Sequence, residues 1–215
     1  MALNFGQDLF RPSDYSKIFI NYSFTEALTQ IGYITYYPLI IENETCAAEN
    51  ILISEDLQSL TTSKTFYQNG DTTGFFDWTK VIDEDYDITL KNSATLLGKA
   101  ILNFYTNTII VDNDTNSSIY WIIRIRKWDG TTETEIAYAT TPTLNKSSDG
   151  TRNYMIGIDI PKTFFKKEDT IRITIEGWGK LVASIVSGDA ITLTYYLDKA
   201  TSKSTKINLP FKIEE

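Results

Sequence analysis

Side chains branched at the β-carbon dominate this chain of 215 residues, which has 28 Ile, 29 Thr and 4 Val against only 11 Ala and 2 Met. Such side chains suit the pleated surface of a sheet and lose rotamer freedom in a helix. Apolar and polar residues also alternate with a period of two, as in Thr170–Glu176, where Ile171, Ile173 and Ile175 share one face. Composition and alternation together predict an all-β fold.

Several alternating runs lie between residues 85 and 215, separated by turn-forming sequences. One of these turns, Asp129-Gly130, is typical of a type I′ hairpin, in which both central residues take a positive φ. About eight short strands in a segment of this length predict an antiparallel two-sheet sandwich of jelly-roll type. We expect its inward face to include Ile171, Ile173, Ile175, Ile191 and Leu193.

The first 84 residues are less regular. Ser23-Phe24-Thr25-Glu26 fits a helix capping box, although residues 17–24 also alternate well enough for a strand. The run from Tyr33 to Ile41 predicts a strand that is broken at Pro38. We therefore divide the chain into an arm or small subdomain, residues 1–84, and a sandwich, residues 85–215. The arm is rich in aromatic residues but poor in alternation, so we expect it to contact neighbouring subunits through anchors that include Phe5, Phe10, Tyr15, Tyr36 and Tyr37.

Histidine is absent, and Cys46 is the single cysteine. These counts exclude His-dependent nucleophilic catalysis, His-ligated zinc and an internal disulfide. The formal net charge of -8 opposes binding to nucleic acid and to anionic membranes. Because there is also no N-terminal leader pattern and no apolar run of the roughly 20 residues that span a bilayer, we expect a soluble protein that binds neither nucleic acid nor membrane.

Two acidic segments are candidates for binding a hard cation such as Ca²⁺: Asp83 and Asp85 in one run, and Asp112 and Asp114 in a polar loop. Neither has the glycine hinge and terminal glutamate of a calcium-binding loop, so we favour a solvated linker and a polar loop, with no metal and no cofactor. We predict no enzymatic activity. A glycosidase needs only two carboxylates, but the strand candidates, Asp159 and Glu176, do not stand out as a buried pair.

Some aromatic residues are candidates for a platform that binds a sugar ring: Trp78, Trp128, Trp178 and the pair Tyr195-Tyr196. A β-sandwich also places aromatic side chains in its core and at subunit contacts, where they contribute much of the interface energy. We favour core or interface positions for these residues and keep the sugar-binding platform as the alternative.

Two segments, residues 160–175 and 123–131, resemble segments of virion structural proteins of tailed viruses. The resemblance implies a jelly-roll module, often trimeric, that sits on or reinforces a protein shell, and it carries no catalytic residue. We therefore predict a non-enzymatic capsid decoration or minor capsid protein, located in the virion, that forms a homo-oligomer, above all a trimer, and contacts other capsid proteins. The alternatives are a ligand-binding β-sandwich, either a carbohydrate-binding module or a receptor-binding fibre head, and then a cellular surface-layer or adhesion module.

Overall fold

The computed structural model describes residues 31–43, 46–53, 63–69, 77–111, 117–145, 150–180, 190–197 and 204–212. These residues contain twelve β-strands and no helix, which confirms the prediction of an all-β fold. Among them there is accordingly no helix of the length and apolarity that crossing a membrane requires. The strands are β1 (Ile31–Asn43), β2 (Cys46–Ile53), β3 (Ser63–Asn69), β4 (Thr79–Thr89), β5 (Ala94–Val111), β6 (Ser118–Trp128), β7 (Glu133–Thr140), β8 (Leu144–Asn145), β9 (Gly150–Phe165), β10 (Thr170–Lys180), β11 (Ala190–Tyr196) and β12 (Lys206–Lys212).

Hydrogen bonds connect the strands in the order β3-β11-β5-β12-β1-β2-β4-β10-β6-β7, with β9 also paired to β5 and β8 to β6. Within this network, only the pairing of β2 with β4 is parallel. Strand β1 joins two halves, because residues 31–36 pair with β12 and residues 37–43 pair with β2. We call the half that contains β3, β5, β9, β11 and β12 the first sheet. The half that contains β2, β4, β6, β7, β8 and β10 is the second sheet.

Pro38 does not end its strand, contrary to the expectation from the sequence. Strand β1 continues through it, and the change of partner falls between Tyr36 and Tyr37, just before the proline. Proline has no N–H to donate to a ladder, so it is accommodated at a point where a strand exchanges one neighbour for another. Because Tyr36 and Leu39 are buried, the crossing strand is part of the core.

Three strands from the segment assigned to the arm take part in the sheets. β1 pairs with β12, β2 with β4, and β3 with β11, and residue 84 lies inside β4. Residues 1–30, which include Phe5, Phe10, Tyr15 and the capping-box segment, lie outside the described residues. The division into an arm and a sandwich therefore stays a prediction.

Side chains from the two sheets meet in one core. Phe104 of β5 packs edge-on against Trp121 of β6, with ring centroids 5.1 Å apart. Tyr195 of β11 shares a hydrogen bond of 2.6 Å with Tyr86 of β4. These contacts place the two sheets face to face, as in a β-sandwich, while the jelly-roll order of the strands stays a prediction. The residues predicted to face inward are all buried, which confirms the assignment of faces: Ile171, Ile173, Ile175, Ile191 and Leu193.

The hairpin predicted at Asp129-Gly130 is present between β6 and β7, but its turn differs from type I′. Gly130 takes a positive φ of 93°, whereas Asp129 does not. Asp129 Oδ1 instead accepts hydrogen bonds from the N–H groups of Thr132 and Thr131, at 2.8 and 3.0 Å. These bonds lower the pKa of Asp129, and they stabilise the turn because its carboxylate binds the backbone N–H groups that follow it.

Two glycines of β10 allow the sheets to approach closely. A Cβ atom added at Gly177 would lie 2.9 Å from Cδ1 of Leu193, and one added at Gly179 would lie 2.7 Å from Cδ1 of Ile191. Both partners are fully buried side chains of the opposite sheet. An alanine at either position therefore requires the core to shift.

We predict that Gly179→Ala lowers the free energy of unfolding by about 1–3 kcal/mol, the usual cost of overpacking a core. Ile191→Val removes the methyl group that the new Cβ would strike, so the double variant should lose less stability than the sum of the two single variants. Chemical denaturation of all four proteins measures this coupling. Gly157→Ala is the control, because its Cβ would meet only the flexible side chain of Lys99. Strictly additive losses would contradict the close contact.

Candidate functional site

The outer face of the second sheet carries many ionic side chains. Alternation turns Ile119, Trp121, Ile123 and Ile125 of β6 and the isoleucines of β10 inward. The residues between them, including Ile122 opposite Glu176, point outward. The antiparallel register aligns these residues in rows across four strands, for example Asp87, Arg172, Arg126 and Glu135. We call this surface the charged face; its ionic members are Lys80, Asp83, Asp85, Asp87, Arg124, Arg126, Glu133, Glu135, Arg172 and Glu176.

Glu176 is the most enclosed carboxylate of the charged face, with a side chain that is only 2% exposed. It accepts two hydrogen bonds from the Arg124 guanidinium, at 2.8 and 3.2 Å, and one from the Trp178 indole N–H at 2.9 Å. Burial alone would raise the pKa of Glu176, but these hydrogen bonds and the positive charges of Arg124 and Lys80 lower it. Glu176 is therefore a stabilised anion, which suits an ion pair and not a general acid.

Arg172 and Arg126 face each other directly on neighbouring strands, a like-charge pair that is destabilising by itself. Carboxylates on both sides offset this repulsion. Asp87 accepts two hydrogen bonds from Arg172, at 2.8 and 2.7 Å, and Glu133 accepts from both arginines, at 3.0 and 3.3 Å. The strands that flank the arginines thus neutralise them.

The acidic run that begins at Asp83 is part of strand β4, so the expectation of a solvated linker is wrong. Its alternation places Tyr86 in the core and turns Asp83 and Asp85 outward, where they contact Lys80 Nζ at 2.6 Å and the Thr174 hydroxyl at 2.5 Å. In the part of the chain that the structure describes, no group of three or more His, Cys, Asp or Glu is arranged to hold a metal ion. The other cation candidates, Asp112 and Asp114, lie outside the described residues.

The two carboxylates considered for a glycosidase are not brought together. Asp159 is highly exposed on β9 of the first sheet, where it lies 3.5 Å from Lys99. Glu176 lies on the outer face of the second sheet and is enclosed by arginine. The sandwich therefore separates these two side chains.

Three aromatic side chains adjoin the charged face at one end. Trp78 packs edge-on against Tyr120, with ring centroids 4.6 Å apart, and Tyr120 is parallel to Trp178 at 6.2 Å and 2°. We call these three residues the aromatic patch. The sequence singled out Trp78 and Trp178 but missed Tyr120, because the register that sets Tyr120 opposite Trp178 is visible only once β6 and β10 are paired.

The other aromatic candidates lie elsewhere. Trp128 is at the far end of β6, where the Arg172 guanidinium lies 5.9 Å from its ring. Tyr195 is fully buried in the core, as we favoured from the sequence, and Tyr196 is half-buried on β11. Of the predicted interface anchors, Tyr36 is buried and Tyr37 half-buried, and burial raises the pKa of Tyr36 to about 12. An interface role for Tyr36, Tyr37 and the three undescribed anchors stays a prediction.

The outer face of the first sheet has a different character. The outward residues of β5 and β9 are mostly uncharged, and at one end Lys99 and Asp159 stand opposite each other. Lys206 of β12 borders the face, opposite Asn103. Met155 is 76% exposed, Ile109 44% and Ile101 37%. We call this surface the uncharged face; its members are Ile101, Asn103, Tyr105, Asn107, Ile109, Thr151, Asn153, Met155 and Gly157.

Comparison of the sequence finds no matching protein family and no matching curated protein. Among solved structures, the chain is similar to an aminopeptidase from the marine sediment archaeon Thaumarchaeota archaeon, with a TM-score of 0.52 and 10% identity, and to an alpha-amino acid ester hydrolase, with a TM-score of 0.50 and 10% identity. Each match covers 82% of this chain but only 36% of the matched chain. This chain therefore spans about a third of the length of these two proteins.

A weaker likeness is to the VP2 subviral particle of infectious bursal disease virus, with a TM-score of 0.34 and 10% identity over 83% of this chain and 43% of that one. A match of this quality carries no argument. The two stronger matches show a shared β fold and nothing about activity. The neighbours thus include hydrolases and a viral particle protein, and no specific function follows from them.

We predict that Glu176→Gln lowers the free energy of unfolding at neutral pH by about 2 kcal/mol, as expected for hydrogen bonds to a charged group. Because the pKa of Glu176 is lowered in the folded state, its contribution is fully present above its unfolded pKa of about 4.3 and is lost as the pH falls through the folded value. The difference between wild type and variant should therefore be constant above about pH 5 and shrink as the pH falls from about 5 to about 2. Denaturation across this range measures it.

Glu135→Gln is the matched control, because Glu135 contacts the same arginine from a position that is 40% exposed. Its cost should be smaller, since exposed ion pairs contribute little. A Glu176→Gln difference that does not change with pH would show that the loss comes from packing and not from the charge.

Proposed function

We propose that this chain is a non-enzymatic structural protein that assembles through its uncharged face, and that it serves as a capsid-associated decoration or minor capsid component of a virion. The observation that carries the proposal is the contrast between the two outer faces. One presents an ion-pair network whose members satisfy each other, and the other presents exposed apolar and amide side chains around Met155.

Electrostatics favours the uncharged face for contacts between copies. Each chain carries a net charge of -8, so two copies repel each other at long range. A contact through Ile101, Met155 and Tyr105 brings few like charges together. The cores of protein interfaces are depleted of charged residues and enriched in Met and Tyr, which matches this surface.

The charged face is the poorer surface for assembly. Covering it would remove water from Arg124, Arg172 and their carboxylate partners, and desolvation of ion pairs can exceed the Coulombic gain. Only a partner with complementary charges in every row would offset that cost. We therefore assign the charged face to the stability of the sheet.

The non-enzymatic part of the proposal is supported by how the carboxylates are used. Glu176 is held as an anion, and Asp83, Asp85 and Asp87 are engaged by Lys80, Thr174 and Arg172. The lowered pKa and the enclosed position of Glu176 do not suit a general acid, which must hold a proton and reach a substrate. We accordingly propose no cofactor and no metal.

The viral part is supported by the resemblance to virion structural proteins. The two segments that carry it, residues 160–175 and 123–131, are adjacent in the fold because β6 pairs with β10. Lys127 of one segment forms an ion pair of 2.7 Å with Asp169 of the other and donates to the Phe164 carbonyl at 2.8 Å. The resembling segments thus form one structural unit. We propose the virion as location, and copies of this chain, as a homotrimer, together with other capsid proteins as partners.

We predict that Met155→Glu weakens self-association at least tenfold without lowering the melting temperature, because it places a charge in the centre of the proposed interface. Sedimentation velocity over a concentration series measures the association. Tyr138→Glu is the matched control: it adds the same charge at a side chain that is 58% exposed on the second sheet, near Arg124.

Raising the ionic strength should strengthen association of the wild-type protein, since salt screens the repulsion between like-charged chains. A wild-type chain that stays monomeric at high concentration and does not bind a capsid lattice would contradict the proposal. Equal effects of the two variants would contradict the choice of face.

A further inference from the structure

We propose that the aromatic patch, together with Lys80 and Asp83, is a binding site for the ring of a neutral saccharide. It lies on the sheet opposite to the proposed assembly surface, so one function does not require the other. The inference rests on three properties of the patch: a fixed aromatic surface, polar groups at its border, and balanced charge.

The aromatic surface is held in place before any ligand arrives. Trp178 donates its indole N–H to Glu176, lies parallel to Tyr120, and has the Lys80 ammonium 6.0 Å from its ring. Trp78 extends the patch by packing edge-on against Tyr120, and it is 38% exposed. A surface that is already ordered loses little side-chain entropy on binding.

Polar groups with remaining hydrogen-bonding capacity border the patch. Lys80 stands directly opposite Trp178 in the strand register, and its ammonium contacts Asp83 at 2.6 Å. The ammonium has three donors and an ionised carboxylate has about four acceptor positions, so both groups can also bind hydroxyls. The two side chains remain 35% and 52% exposed. Donors and acceptors beside an aromatic surface suit a ligand with an apolar face and hydroxyls along its rim.

The local charges select a neutral ligand. Lys80 and Arg124 would repel a cation, while Glu176 and Asp83 would repel an anion such as a phosphate. These two positive and two negative charges lie close together around the patch. A pyranose ring meets the requirements without adding a charge, because its C–H face stacks on aromatic rings and its hydroxyls bind both signs of partner.

The test uses the full-length protein and four neutral oligosaccharide series, cello-, malto-, manno- and galacto-oligosaccharides, titrated against intrinsic tryptophan fluorescence. We expect at least one series to change the emission in a saturable way. Trp78→Ala and Trp178→Ala should each weaken that binding at least tenfold. Trp128→Ala is the control, because Trp128 lies on the same sheet but outside the patch.

Trp78→Ala keeps the test valid if Trp178→Ala does not fold, since Trp78 is the more exposed ring. Lys80→Met, which keeps the aliphatic stem but removes the donor, should also weaken binding. Met155→Glu should bind as wild type does, which separates this site from the assembly proposal. Saturable binding by none of the four series, or equal affinity in wild type and Trp78→Ala, would overturn the inference.

Discussion

The contact between the two sheets around Trp121, Phe104, Tyr86 and Tyr195 is the interaction on which the rest of the structure depends. Each large apolar side chain in this core contributes about 1.5–3 kcal/mol when it is fully buried. The two tyrosine hydroxyls share one hydrogen bond in the apolar interior, and burial raises the pKa of both, so the pair stays neutral. Gly177 and Gly179 allow the close approach that this packing needs.

Because the core fixes which side chains point inward, it also determines what the two outer faces present. Alternation in β6 and β10 turns arginine, glutamate and tryptophan outward on the second sheet, where register pairs them. The same alternation in β5 and β9 turns Ile101, Asn103 and Met155 outward on the first sheet. The sandwich thus has the charged face, whose ionic side chains neutralise each other, on one side and the uncharged face, with solvent-exposed apolar side chains, on the other. The proposed assembly surface follows from this difference.

The alternation of apolar and polar residues predicted much of the fold but little of the candidate sites, because the sites depend on how strands pair. Alternation is a property of one strand, so it identified the inward isoleucines of β10 correctly. A row such as Lys80, Trp178 and Tyr120 depends on the pairing of three strands that are distant in sequence. Acidic composition led us to interpret the run that begins at Asp83, in the middle of β4, as a linker, because the arginines that neutralise it lie on other strands. The predicted break at Pro38 was wrong for the same reason. Only the change of pairing partner in β1 explains why a proline is tolerated within that strand.

Oxidative footprinting of Met155 tests the central claim, that the uncharged face is buried on assembly, most directly. Methionine oxidises readily when exposed, and Met155 is among the most exposed side chains of the described residues. We predict that oxidation of Met155 by a pulse of hydroxyl radicals is strong in dilute protein and falls severalfold in concentrated or shell-bound protein, while modification of Tyr138 on the opposite sheet stays constant. Equal oxidation of Met155 in both states, with protection of Tyr138 instead, would contradict the claim.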